Sequence, residues 1–142
     1  MTPPKQPLRG RVVLVVGAGD RLAQRASLHL AGRGAAVVAA GPSLDEVIVT
    51  AGLVAAAGGT ARVIEVPVPP LLGSDLIRRA MEAFEPPTDA VVSCSAFRTA
   101  ADAWAAAHDL SAHLLPGARV AVLEKVGAKN EEKALERLLS LY

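Results

Sequence analysis

Aromatic residues are scarce: one Trp, one Tyr and two Phe make up 3% of 142 residues. The core must therefore be built from Val, Leu, Ile and Ala. Such side chains suit buried parallel strands under close-packed helices. Cysteine is scarcer still. A single thiol, Cys94, excludes an internal disulfide and a cysteine-based zinc site, and fits a reducing, cytoplasmic setting. Neither sign of charge dominates. With 15 basic and 14 acidic residues the net charge is +1, which gives no pull toward nucleic acid or an acidic membrane. No long apolar run is present. The longest uncharged stretch, 47–61, holds three glycines and falls short of the roughly 20 apolar residues that span a bilayer. The Pro-rich start lacks the apolar segment of a secretory signal. The length suits one domain, 1–142, and not two.

What is present is regular. Buried-strand patterns alternate with helical ones. Strands are expected near 11–16, 35–40, 61–66, 89–93 and 119–123. Helices are expected near 21–32, after Ser43, after Ser74, over 99–115 and from about 130 to the end. Ser43 and Glu46 have the spacing of a capping box. The second helix is expected to bury Leu44, Val47, Ile48 and Ala51, and the fourth to carry Trp104, Ala107, Ser111 and Leu114 on one stripe. Five βα units in series predict an α/β, Rossmann-like, doubly wound parallel sheet. Right-handed crossovers with a switch after the third strand give the order 3-2-1-4-5. The fifth strand would then be an edge.

The first βα turn is where chemistry is expected. Gly17 and Gly19 follow a buried strand and open a helix, as in a dinucleotide site. At the next two places where a phosphate-cradling turn wants glycine, the chain has Arg21 and Ala23. One reading lets the remnant turn greet an anion at the helix start. The other gives Gly17 and Gly19 the turn alone and makes Arg21 a solvated residue. His108 and His113 lie five apart and share no helix face as a metal pair would, so no metal site is expected. Cys94 has no evident base beside it and reads as a structural thiol. Lys125, Lys129 and Lys133 alternate with Glu124, Glu131 and Glu132 and read as a solvated, salt-bridged surface.

The stretch from Leu8 to Gly41, "TDAVVSCSAF", "LLPGARVAVLE" and "KNEEKALERLLSL" together resemble the short-chain dehydrogenases/reductases. They are similar, in turn, to that family's cofactor turn, its fourth strand, the strand ending at the catalytic serine and the helix with the Tyr-x-x-x-Lys pair. The resemblance covers nearly the whole chain but only about two-thirds of a family domain, so it implies a truncated member. It also implies what is missing. Val16 replaces the turn's threonine, and Arg21 and Ala23 its later glycines. The ribose-binding acid is absent at Ala39-Ala40-Gly41-Pro42, and Val68 stands for the acid that holds adenine. Ser93-Cys94-Ser95-Ala96 replaces N-N-A-G. Lys125 takes the serine's place, and Lys129 or Ala128 the tyrosine's. No cofactor, no cofactor-binding residue, no catalytic residue and no oxidoreductase activity are expected of the chain alone.

The fold's expected role is then structural. In the family, the helices matching the fourth and fifth here pair subunits. The alanine-rich fourth helix with its lone Trp suggests an interface through Trp104, Ala105, Ala106, His108, Leu135 and Leu138. Beside it stands a reading in which Trp104 packs on its own sheet. The expected function is a non-catalytic structural or regulatory subunit of an NAD(P)-dependent dehydrogenase. It would pair with a catalytically active relative, or with itself. The hydroxyacyl-CoA dehydrogenase of anaerobic toluene degradation, in the benzylsuccinate pathway, is one heteromeric type. The alternatives are a small nucleotide- or acyl-CoA-binding protein using the remnant crevice, and a ketoreductase structural half-domain. The Met1 start and the clean last helix weigh against the half-domain.

Overall fold

The structure is a computed structural model and describes residues 7–66, 73–94, 97–124 and 131–141. Five strands and five helices alternate: β1 (Val12–Val16), α1 (Arg21–Gly32), β2 (Ala36–Gly41), α2 (Leu44–Ala56), β3 (Ala61–Glu65), α3 (Gly73–Ala83), β4 (Asp89–Ser93), α4 (Ala100–His113), β5 (Val120–Leu123) and α5 (Glu131–Leu141). All strand pairs are parallel, in the order β3-β2-β1-β4-β5. The expected fold class and strand order are therefore the observed ones.

Alternation along the central strands sorts the core into two layers. Val13, Val15, Val37, Ala39 and Val91 face α1, α2 and α5. Leu14, Val16, Val38, Ala40 and Val92 face α3 and α4. A strand covered on both faces has no polar side to show, which is why β1 reads Val-Val-Leu-Val-Val.

Two helices present different faces from those expected. α2 buries Val47, Thr50 and Val54. Leu44 and Ile48 are instead exposed, together with Val49 and Leu53. Apolar residues occur on every side of this helix, so periodicity alone could not pick the inward face. Ser43 precedes α2 but its side chain makes no cap hydrogen bond, so the capping box is not formed. α4 buries Ala103, Ala107 and Leu110. Trp104 and Ser111 flank that stripe and are exposed. Where most positions are alanine, the one large side chain misleads the eye about which face goes in.

The amino end of the sheet is locked by one buried carboxylate. Asp89 accepts from Arg11 Nε and Nη2, both at 2.8 Å, from the Arg119 backbone N–H at 2.8 Å and from Thr88 Oγ1 at 3.1 Å. Burial alone would push its carboxyl pKa up. The hydrogen bonds from Arg11, Arg119 and Thr88, with the charge of Arg11, outweigh burial and leave it below the ordinary value. This cluster joins β1, β4 and the start of β5.

Candidate functional site

The candidate site lies at the opposite, carboxyl end, where β1 gives way to α1 at the switch between β1 and β4. Gly17 takes φ +85°, which only glycine adopts without strain. Its N–H and that of Ala18 both donate to the Ala40 carbonyl, at 2.7 and 3.0 Å. Thr50 Oγ1 of α2 donates to the Ala18 carbonyl at 2.5 Å. The turn is thus tied to β2 and α2 before any ligand arrives.

Asp20 is the N-cap of α1. Its Oδ1 accepts from the Ala23 N–H at 2.9 Å, and its Oδ2 from Ser93 Oγ at the end of β4, at 2.5 Å. A helix N-terminus carries about half a positive charge and orphan N–H donors, which is what attracts a phosphate. Here a carboxylate of the chain already holds that place. Glu46 of α2 leans over the same turn. A Cβ added at Gly19 would lie 2.7 Å from Glu46 Oε2 and 2.8 Å from Glu46 Cβ. Gly19 is therefore required by close approach to Glu46. What remains is a crevice of about 240 Å³, lined by Gly17, Gly19, Asp20, Gly41, Ser43 and Glu46 among others.

The two residues that stand where the turn wants glycine lie away from the crevice. Arg21 is exposed and does not line the crevice, and Ala23 is fully buried beneath the helix start. The carboxylates at the crevice are those of Asp20 and Glu46. Asp20 was legible, because an Asp just before a helix is a preferred N-cap. Glu46 was not, because its approach to Gly19 depends on how α2 packs beside α1.

Cys94 is half-buried against the α3–α4 layer. His29, His108 and His113 are exposed, and His113 Nε2 lies 3.6 Å from Asp109 Oδ1. Among the described residues no three His, Cys, Asp or Glu side chains gather to hold a metal. None of their helices is long and apolar enough to cross a membrane. Val68, Ser95, Ala96, Lys125, Ala128, Lys129 and Tyr142 lie outside the described residues. Lys133 is exposed on α5.

Of the residues expected at an interface, Trp104 is 53% exposed, Ala105 and His108 are exposed, and Ala106 is half-buried. Leu135 and Leu138 face inward. At 2% and 3% exposure they fill the layer between α5 and the sheet. Leu138 also borders the groove beside β5. Leu141, one turn on, is 54% exposed.

No protein-family model and no curated protein sequence matches the chain. Solved structures do. A short-chain type dehydrogenase/reductase from Mycobacterium marinum is 25% identical, with a TM-score of 0.54 over 61% of this chain and 35% of that one. The citronellol catabolism dehydrogenase of Pseudomonas aeruginosa is 15% identical, with a TM-score of 0.69 over 96% of this chain and 67% of that one. A short-chain dehydrogenase/reductase from Serratia marcescens is 21% identical, with a TM-score of 0.63 over 95% of this chain and 66% of that one. The chain thus spans between a third and two-thirds of the length of these proteins. Over that part, it has the fold of the short-chain dehydrogenases/reductases.

Proposed function

We propose that this chain is a non-catalytic subunit, structural or regulatory, that assembles with a catalytically active short-chain dehydrogenase/reductase. One observation carries the reading: the turn that would receive a cofactor pyrophosphate is occupied by the chain's own Asp20 and Glu46. A diphosphate entering there meets two carboxylates. At about 4 Å and an effective dielectric constant near 20, each like-charge pair costs about 4 kcal/mol. The ribose-binding acid is also absent after β2, where the chain reads Ala39-Ala40-Gly41.

Surface composition supports the assembly role. Leu44, Ile48, Val49 and Leu53 on α2, and Trp104 and Leu141 beside β5, are large apolar side chains left open to water. Large apolar side chains left open at both edges of a small domain are the kind of surface a partner covers. The partner is a dehydrogenase by the likeness of fold, and the hydroxyacyl-CoA type remains the working choice.

Two measurements test this. Titration of NADH and NADPH into the pure chain should give no heat of binding up to millimolar nucleotide, and micromolar binding overturns the reading. Co-expression with a dehydrogenase encoded beside it should give a stoichiometric complex. Ala105→Arg on the exposed side of α4 should weaken that complex without changing the circular dichroism. If the intact chain never joins such a dehydrogenase, the subunit role fails.

A further inference from the structure

The two edges of the sheet are guarded differently. β3 carries the exposed charges Arg62 and Glu65, and Arg79 of α3 donates to the Glu65 carbonyl at 3.0 Å. Charges along an edge keep it from recruiting another strand. β5 has no such guard: between Arg119 and Glu124 it reads Val120-Ala121-Val122-Leu123. Its inner side is paired with β4, from Ala90↔Val120 to Ser93↔Leu123, and the Ala90 N–H donates to the Arg119 carbonyl at 2.9 Å. Backbone groups alternate in direction along a strand. Arg119, Ala121 and Leu123 therefore face β4, and the N–H and C=O of Val120 and Val122 point outward. Among the described residues no strand pairs with that outer side.

Beside the edge runs a groove of about 320 Å³, with Trp104 of α4 on one bank and Ala134, Leu138 and Leu141 of α5 on the other. The Trp104 indole N–H donates to Glu124 Oε1 at 3.2 Å, and Arg119 Nη1 donates to the Leu141 carbonyl at 2.8 Å. Both helices are thereby fixed against the strand, and the slot between them is preformed.

We propose that this edge is completed by the same edge of a second copy, β5 antiparallel to β5 about a two-fold axis, so that two five-stranded sheets become one. The inference rests on the reading of this side as an assembly surface and adds its occupant. Three features favour a copy. Outward residues must face outward residues, so the axis passes through Val122–Val122 or sets Val120 against Val122, and either way valine meets valine at the centre. Antiparallel order brings Glu124 at the end of one β5 to within one place of Arg119 at the start of the other, in both registers. Parallel pairing in the same register would set like charges side by side. Distance also fits. α4 lies over β4 and β5 alike. With strands about 4.8 Å apart, α4 and its mate fall roughly 10 Å apart, at the outer limit of helix packing distances. A stable dimer buries about 800 Å² per partner, so the contact draws on the groove banks of α4 and α5 as well as on the strand.

The test is sedimentation and amide exchange on the intact chain. At tens of micromolar it should sediment as a dimer of 14.6 kDa chains, with the Val120 and Val122 amides protected. Val122→Pro removes an outward N–H that the chain itself does not use, so an edge strand tolerates it. It should weaken the dimer at least a hundredfold with unchanged circular dichroism, and Trp104→Ala about tenfold. A chain that sediments as a monomer with fast-exchanging Val120 and Val122 amides overturns the proposal. So does a dimer indifferent to Val122→Pro, which would place the contact elsewhere, such as α2. If that variant does not fold, amide exchange in the unaltered chain decides. A dehydrogenase that binds the Val122→Pro monomer upholds the subunit role even as the variant dissociates the copies. A dimer that meets no dehydrogenase upholds the pairing and counts against that role.

Discussion

Each end of the sheet holds a carboxylate with several donors, and the two do different work. At the amino end, Asp89 is fully buried and its donors include the guanidinium of Arg11. At the carboxyl end, Asp20 is half-buried and accepts from the Ala23 backbone N–H and the Ser93 hydroxyl. The first is a charge compensated by a charge, and it ties three strands. The second is a charge set on a helix dipole, and it fills a place a ligand would take. The same side chain is a fastener at one end of a parallel sheet and a stopper at the other.

Removing Asp89 should have the largest effect. Asp89→Ala leaves the Arg11 guanidinium and the Arg119 N–H without their acceptor inside the fold. Breaking a buried pair from one side costs 3–5 kcal/mol. Arg11, with its side chain 34% exposed, recovers part of that from water, so a loss of about 3 kcal/mol is expected in urea unfolding. An effect under about 1 kcal/mol would show that the cluster holds nothing together.

Acid should act on the same group more gently. The Asp89 pKa is depressed in the folded state, so the unfolded chain binds the proton first. The stabilisation is complete above the unfolded value of roughly 3.9 and is lost as pH falls through the lower folded value. Below about pH 4, unfolding free energy should drop with pH more steeply in the unaltered chain than in Asp89→Asn. Parallel curves would remove Asp89 from the account.

Asp20→Ala should cost about 1 kcal/mol, the usual value of an N-cap. The Asp20–Ser93 contact is lost with either residue, so the losses from Asp20→Ala and Ser93→Ala should be less than additive in the double variant. Fully additive losses would mean that the Asp20–Ser93 contact contributes nothing to stability.

The fold was readable because it is written in repetition: five apolar strands, each followed by a helix, with glycine or proline at most of the joints. The amino-end lock was half-readable, since Asp89 opens a strand, but Arg11 is 78 positions away and nothing local pairs them. The inward faces of α2 and α4 were misread because their apolar residues run all the way round. Such helices carry no period from which a face can be chosen. At the first βα turn, the missing glycines at 21 and 23 drew attention to positions that do not line the crevice. Arg21 turns to solvent, and Glu46 arrives from the next helix.

The smallest expected effect on stability is also the sharpest probe of the stopper. Glu46 is exposed, so Glu46→Ala should change unfolding free energy by no more than about 0.5 kcal/mol. Its effect should appear in binding. In an Asp20→Ser, Glu46→Ala double variant, the serine can still cap α1 while both negative charges leave the crevice. Inorganic pyrophosphate should then bind tenfold to a hundredfold better than to the unaltered chain, at 1.4 kcal/mol per tenfold, and the gain should shrink as salt is raised. An Arg21→Gly, Ala23→Gly variant keeps both carboxylates and should gain nothing, although it restores the glycines a phosphate turn is expected to need. If the glycine variant gains affinity and the charge variant does not, the turn is closed by side-chain bulk at 21 and 23, and the carboxylates are bystanders.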